Sequence, residues 1–282
     1  MKNTILIIIC TLVSISIFSQ QDNYVSGKIF SIEEKPLDYV NVGIIGTTLG
    51  TVSDAHGKFQ LYFNDEVKPN DTVRFSSIGY KQQEFTVAEL KSKKDLKIKM
   101  QTRSTQLQEI VVLPDFLKTK TKGSKRTKTK MNVFYSISNK PNQNLGAEIG
   151  RKFKIRKITK LNKLRFFIAK NNFDTVRFRI NVYHLKKRKP RENILSQNII
   201  HEVVGEKSGW IEIDLSPYQI ITKKSVVVGV EWIYHSKEGR YLTLPIAMFA
   251  KGPHFYKYGS QSKWKRFGTM SSAMELEVAV GL

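Results

Sequence analysis

A chain of 282 residues with 40% hydrophobic and 25% charged residues has the composition of a globular protein and the length for one large or two modest packed domains. Its 47 Lys and Arg outnumber 24 Asp and Glu, and the formal net charge of +23 favours acidic glycans, lipopolysaccharide phosphates or nucleic acid as partners, although solvated lysines alone would give the same sum. Cys10 is the only cysteine, which excludes an intramolecular disulfide and, once an N-terminal leader is removed, thiolate catalysis or thiolate metal ligation.

The first elements read as an export signal over residues 1–19. Lys2 supplies the positive start, Ile5 to Val13 is a nearly unbroken apolar run, and small Ser16 and Ser19 precede Gln20. The run is shorter than the roughly 20 apolar residues of a membrane span and is interrupted by Thr11, Ser14 and Ser16. Ile9 stands where a lipidated cysteine would need a small neighbour, so Cys10 does not read as a lipid anchor. Export places the chain in the periplasm, at the outer membrane or on the cell surface.

From Tyr24 to Leu113 short apolar-patterned runs alternate with turn residues, as in an all-β sandwich. The predicted strands are Val25 to Phe30, Val40 to Ile45, Gly50 to Ser53, Phe59 to Phe63, Thr72 to Ser76, Lys81 to Val87, Asp95 to Met100 and Leu107 to Leu113. No helical stripe stands out. Asp54-Ala55-His56-Gly57 has Asp at the first and Gly at the fourth place of a type I turn, and predicts a hairpin between Thr51 and Phe59. Gly43, Gly46 and Gly50 are read as tight turns with positive φ.

The order Val25-Ser26-Gly27, Pro36-Leu37, Val40-Asn41-Val42, Gly46-Thr47, Gly50 to Asp54, Gly57-Lys58-Phe59 and Ser77-Ile78-Gly79-Tyr80 resembles the carboxypeptidase-regulatory-like domain over about residues 24–100. The resemblance implies a prealbumin-like, seven-stranded β-sandwich at the start of an exported envelope protein, many TonB-dependent receptors among them, and very little chemistry. Leu107 to Val112 is similar to the segment that joins such a domain to a receptor plug, but the remaining chain is too short for a plug and a large barrel.

Residues 114–130 contain KTKTKGSKRTKTK, with no acidic and no large apolar residue in that tract, and read as a flexible basic linker. From 131 to 282 the period-two pattern returns. Val176, Phe178, Ile180 and Val182 alternate with Arg177, Arg179, Asn181 and Tyr183, giving one apolar and one polar face; Ile211, Ile213 and Leu215 repeat the device. Val226 to Trp232 suits a central strand covered on both faces, and Met274 to Val280 a closing strand. The expectation is a second, jelly-roll-like β-sandwich, similar in layout to galactose-binding-like modules.

Catalytic patterns are sparse. His56, His184, His201, His235 and His254 are not at metal-ligand spacing, so no metal and no cofactor is expected. His235-Ser236-Lys237-Glu238 spells HxxE, read as a chance match in a hairpin turn closed by Gly239. No GxSxG elbow occurs. Asp54 with Ser53 and Asn41 lacks the carboxylate density of a calcium site. The candidate ligand-binding residues are Tyr256, Tyr258, Trp264, Lys263 and Arg266, where rings interleaved with cations would suit a sugar or an acidic group; Trp264 and Phe255 would equally plug the end of the sandwich. Lys186 to Arg191 is a basic patch or a charged hairpin tip.

These features point to a non-catalytic exported binding or interaction module. Its candidate partners are a glycan, an acidic envelope polymer or another envelope protein, with peripheral outer-membrane association and no specific nucleic acid. The alternative is a hydrolase of peptide or glycan with an unrecognised site, for which Glu212, Asp214 and Glu231 are the carboxylates to inspect.

Overall fold

The computed structural model describes residues 23–93, 95–103, 117–135, 144–237, 239–250 and 252–281. The export-signal reading of 1–19 and the predicted strand Leu107 to Leu113 lie outside the described residues.

The first module is built from β1 (Tyr24–Ser31), β2 (Asn41–Ile44), β3 (Gly50–Val52), β4 (Lys58–Tyr62), β5 (Thr72–Ser76), β6 (Gln83–Thr86) and β7 (Leu96–Met100). They form two sheets, β4-β1-β7 and β3-β2-β5-β6, with β1 antiparallel to β4 and parallel to β7. Alternate side chains are buried between the sheets, among them Ile29, Leu61 and Ile98 from one and Val42, Val73 and Phe75 from the other. Each such buried side chain contributes about 1.5–3 kcal/mol relative to exposure. The expected seven-stranded sandwich is therefore present.

Three local features differ from the sequence reading. A five-residue helix, α1 (Val87–Lys91), follows β6; Thr86 caps it, accepting from Glu89 N while the Glu89 carboxylate accepts from Thr86 N at 2.6 Å. The Asp54–Gly57 turn forms, with Asp54 Oδ1 accepting from the amides of His56 and Lys58 at 2.8 Å each, but it closes no hairpin. β3 pairs with β2 and β4 with β1, so the turn carries the chain from one sheet to the other. Of Gly43, Gly46 and Gly50, only Gly46 has a positive φ, 81°.

The second module contains β8 (Leu117–Gly123), β9 (Met131–Phe134), β10 (Ala147–Phe153), β11 (Thr159–Ile168), β12 (Lys170–Asn171), β13 (Thr175–Lys186), β14 (Lys189–Asn193), β15 (Ile199–Val204), β16 (Gly209–Asp214), β17 (Ile221–Thr222), β18 (Val226–His235), β19 (Leu242–Met248), β20 (His254–Tyr258), β21 (Lys265–Phe267), β22 (Met270–Ser272) and β23 (Met274–Gly281). One layer runs β14-β13-β18-β10-β20-β21, with β15 also on β13. A second runs β16-β11-β23-β8, and a smaller sheet, β12-β19-β22 with β9, completes the module. The core between the layers holds Phe178, Ile180, Val228 and Val230 against Leu164, Phe166, Leu276 and Val278. β18 is central and buried over Val226–Ile233, as its continuous apolar run predicts.

The basic tract differs from its reading as a linker. Leu117–Gly123 is an edge strand paired with β23 over its whole length, because Lys and Thr in alternation can hydrogen-bond as a strand while their side chains stay in water. Lys186–Arg191 is the β13–β14 hairpin, with Lys187 and Arg188 at its tip at φ 48° and 64°, the left-handed pair of a tight turn.

Candidate functional site: a buried charge network at the module seam

β10, β13, β18 and β20 turn one face to the core, while Tyr39 of the first module covers the other at Arg179 and Trp264 of the second module covers it at Phe255 and Lys257. The polar face of β13 is consequently not wet: Arg179 and Asn181 are buried, with Tyr183 at 9% exposure. Glu148 of β10 lies opposite Glu231 of β18 in register, and Lys257 of β20 is the other neighbour of Glu148. Sequence alternation thus delivers two carboxyl groups and two cations to one desolvated patch.

The members bind one another, while Glu231 Oε1 and Arg179 Nη2 are buried with no partner among the described residues. Arg179 Nε donates to Glu231 Oε2 at 2.9 Å, and Lys257 Nζ sits 3.0 Å from Glu148 Oε2. Asn181 Nδ2 bridges the carboxyl groups, at 3.1 Å from Glu148 Oε1 and 2.8 Å from Glu231 Oε2. Tyr183 donates to Glu148 Oε2 at 3.0 Å, and Asn193 holds Asn181 Oδ1 at 2.9 Å. Gly229 leaves the space that Glu148 fills, since a Cβ there would collide with the Glu148 carboxyl.

Burial and pairing compete at each member. Burial disfavours the Glu231 anion, but Arg179 and Lys257, with hydrogen bonds from Arg179 and Asn181, outweigh it and bring the carboxyl down to about 2. At Glu148 burial wins, helped by the neighbouring Glu231, and the carboxyl is raised despite Lys257. Burial also opposes the Lys257 cation, yet Glu148 and Glu231 raise it. Burial, then Glu148, pushes the Tyr183 phenol well up.

The first module seals this patch. Arg179 Nη1 donates to Tyr39 O at 2.7 Å and Arg177 Nη1 to the Tyr39 hydroxyl at 2.6 Å. Tyr39 and Val52 belong to the second module's apolar cluster, and Tyr39 holds a positive φ of 49°, a strained backbone for an aromatic residue. A second set of contacts lies beside it: Ser260 Oγ donates to Val42 O at 2.6 Å, Gln261 Nε2 to Ser76 Oγ at 2.8 Å, and Gly46 N to Gln261 O at 3.0 Å. Gly43 and Gly50 are explained here rather than by positive φ. A Cβ at Gly43 would lie 2.8 Å from Ser260 Oγ, and one at Gly50 would lie 2.7 Å from it.

The five residues predicted as a ligand site are divided by this architecture. Trp264 packs edge-on to Phe255 and Tyr183 with Lys257 Nζ 5.2 Å from its ring, so it roofs the charge network. Tyr256 and Tyr258 alternate with those residues on β20 and take the opposite face, where Tyr256 stacks on Phe267 at 5.4 Å and Tyr258 packs on the core. Lys263 and Arg266 are exposed. Glu212 and Asp214 face outward from β16, Glu212 paired with Lys163 at 2.7 Å, while Glu231 faces outward from the other layer. The sandwich separates them, so the carboxylate pair suggested by sequence does not form. The pair that does form, Glu148 with Glu231, follows from strand register and has no local sequence signal.

His235 packs on Trp232 and Phe173, each 5.1 Å away, and Glu238, the other half of the HxxE match, lies outside the described residues. Among the described residues no three His, Cys, Asp or Glu side chains gather as a metal site.

Residues 25–112 match the family model of the CarboxypepD_reg-like domain. A segment of 87 residues is 37% identical to the TonB-dependent receptor SusC of Bacteroides thetaiotaomicron, covering 31% of this chain and 8% of that receptor. The chain thus spans less than a tenth of the receptor's length. Among solved structures, the cysteine protease and lectin-like domains of Cwp84, a surface layer associated protein of Clostridium difficile, align over 93% of this chain and 59% of that one at 9% identity and TM-score 0.43. BcpA, the major pilin subunit of Bacillus cereus, aligns over 89% of this chain and 68% of that one at 9% identity and TM-score 0.19. Neither score reaches the level at which a shared fold follows.

Proposed function

We propose that this chain, whose first module is a carboxypeptidase-regulatory-like domain, is an exported, non-catalytic binding module of a Gram-negative envelope. In this reading the first sandwich docks and orients the second, and the second meets the partner, a glycan or another envelope protein. One observation carries the non-catalytic part. The titratable groups that converge at the seam are Glu148, Glu231, Arg179 and Lys257, and they are buried at 0–9% exposure, paired with one another and covered by Tyr39 and Trp264. A general acid or base has to reach its substrate within hydrogen-bond distance, directly or through one water, whereas these four groups are desolvated and turned toward one another. The envelope placement is supported by the family match and by the receptor segment it resembles.

The test pairs capture with turnover. The purified protein is screened on a glycan array and against envelope extract, and in parallel incubated with peptide, peptidoglycan and polysaccharide substrates. Saturable capture without product supports the reading. Product formation that is abolished by Glu148→Gln or Glu231→Gln overturns it. Tyr258→Ala and Trp264→Ala, run in the capture arm, assign or remove those rings from the contact surface.

A further inference from the structure

The edge of the β16-β11-β23-β8 layer carries an unexplained concentration of charge. Lys118, Lys120 and Lys122 of β8 lie opposite Val280, Val278 and Leu276 of β23. Directly paired residues share a face, and Val278 and Leu276 are fully buried in the core, so the three lysines line the inward side of the layer at its open edge. Facing them is the β10–β11 connection, where Lys154, Arg156 and Lys157 are exposed around buried Ile155. Lys120, Lys122, Lys154, Arg156 and Lys157 together wall a cleft of about 390 Å³ with Ile155 in its lining. Among the described residues none of these five makes an ion pair.

Inward-pointing charges on an edge strand also discourage edge-to-edge pairing. That accounts for the β8 lysines but not for three further cations brought against them by a different element. Five like charges walling one cleft repel one another, and a polyanion lying in the cleft relieves that repulsion.

We propose that this cleft is the binding site for a linear acidic polysaccharide, one with a carboxylate on every sugar or every second sugar. Three observations favour that class. Alternate residues of a strand are about 6.8 Å apart, so Lys118, Lys120 and Lys122 form a regular row along which a repeating anion can run. Five cations and no described carboxylate line the cleft, so a polymer carrying many anionic groups complements it. Among the described residues no aromatic ring lines the cleft to stack a base, and its apolar part is recessed, unlike a surface that inserts into lipid.

The inference rests on the binding-module reading and fails separately from it: a protein that captures a neutral glycan or an envelope protein, but no acidic polymer, keeps that reading and loses this one. The experiment measures binding of the full exported protein to immobilised polygalacturonate, neutral galactan, an oligothymidylate and vesicles of pure phosphatidylglycerol, over a salt series. Two cleft variants are compared, Lys120→Glu with Lys122→Glu and Lys154→Glu with Arg156→Glu, together with a control of equal charge change on the first module, Lys28→Glu with Lys97→Glu, which are exposed and paired across β1 and β7. Circular dichroism and thermal unfolding verify the fold of each. The expected result is at least a tenfold loss of polygalacturonate affinity for either cleft pair and less than twofold for the control, with a shallower salt dependence in the cleft variants. Equal losses in cleft and control, equal binding to galactan, or tighter binding to the oligonucleotide or vesicles would overturn the assignment. Because the two pairs lie on different elements, a folding defect in one leaves the other to decide.

Discussion

Replacing Arg179 by Met tests whether the seam network is an element of stability. Arg179 is 1% exposed, its Nε is bound to Glu231 and its Nη1 to the Tyr39 carbonyl. The substitution keeps most of the side-chain volume but leaves Glu231 buried without its nearest cation and Tyr39 O without that donor. Breaking a buried pair by removing one partner costs about 3–5 kcal/mol. With a urea m-value of about 2–3 kcal/mol/M, the unfolding midpoint should fall by about 1–2.5 M. The same reasoning sets the outcome for the pair: Arg179→Met with Glu231→Leu removes both charges, leaves Lys257 with Glu148, and recovers at least half of the loss. Full recovery is not expected, because Tyr39 O still loses its donor. A further sign comes from pH. Glu231 is held at about 2 in the fold and titrates near 4.5 when unfolded, so its contribution is complete above pH 4.5 and disappears as pH falls toward 2. The double variant should lack that acid limb. A loss below about 1 kcal/mol in the single variant, or a double variant less stable than the single, would refute the network's role.

His254 makes a separate acid-sensitive element. Burial, then Arg151, lowers its imidazole to about 4 from 6.5, so the unfolded chain takes up a proton that the fold refuses, and stability should drop between pH 6.5 and 4 by up to about 3 kcal/mol. Urea midpoints at pH 7.5 and 4.5 check this, and His254→Phe, which keeps the ring beside Tyr256 and Phe267, should flatten the difference. Gly50→Ala should cost about 1–3 kcal/mol by thermal unfolding, since its Cβ would stand 2.7 Å from Ser260 Oγ; adding Ser260→Ala should relieve part of that cost, and equal losses in both would remove the seam explanation. Thr86→Ala should cost about 1 kcal/mol through the lost α1 cap, with no effect on polymer capture.

Much of the strand inventory was legible because half-buried strands announce themselves by period two. Thr72–Ser76 coincides with its predicted run, the central β18 contains its predicted run and extends to His235, and Leu96, Ile98 and Met100 are buried as their alternation demands. The helix α1 is marked by Thr86-Val87-Ala88-Glu89, a capping pattern that the stronger strand signal of Lys81 to Val87 masks. The β8 strand was hidden for a different reason: Lys and Thr bury nothing, so an edge strand looks like a spacer until its partner is known. The site was less legible still. Nothing local marks Glu148 or Lys257, which meet only through the order β18-β10-β20. Arg179 and Asn181 sat correctly on a polar face, but period two says nothing about whether another module covers that face.

Two polar surfaces of the second module, the seam and the β8 edge, have opposite fates, and the difference follows from where the charges find partners. On the outer face of β13 and β18, Arg179 meets Glu231 within the module, so the patch can be desolvated beneath Tyr39 and Val52 without stranding a lone ion. Apolar burial and the close fit of Ser260 into Gly43 and Gly50 then supply the docking energy, while the Arg179–Tyr39 contact fixes the register in which the modules meet. At the β8 edge the cleft cations make no ion pair among the described residues, and burying them would leave several charges without compensation. They stay at a solvent-facing cleft on the other layer, outside the seam. Docking of the first module therefore consumes the paired charges and leaves the unpaired ones free for an external anion.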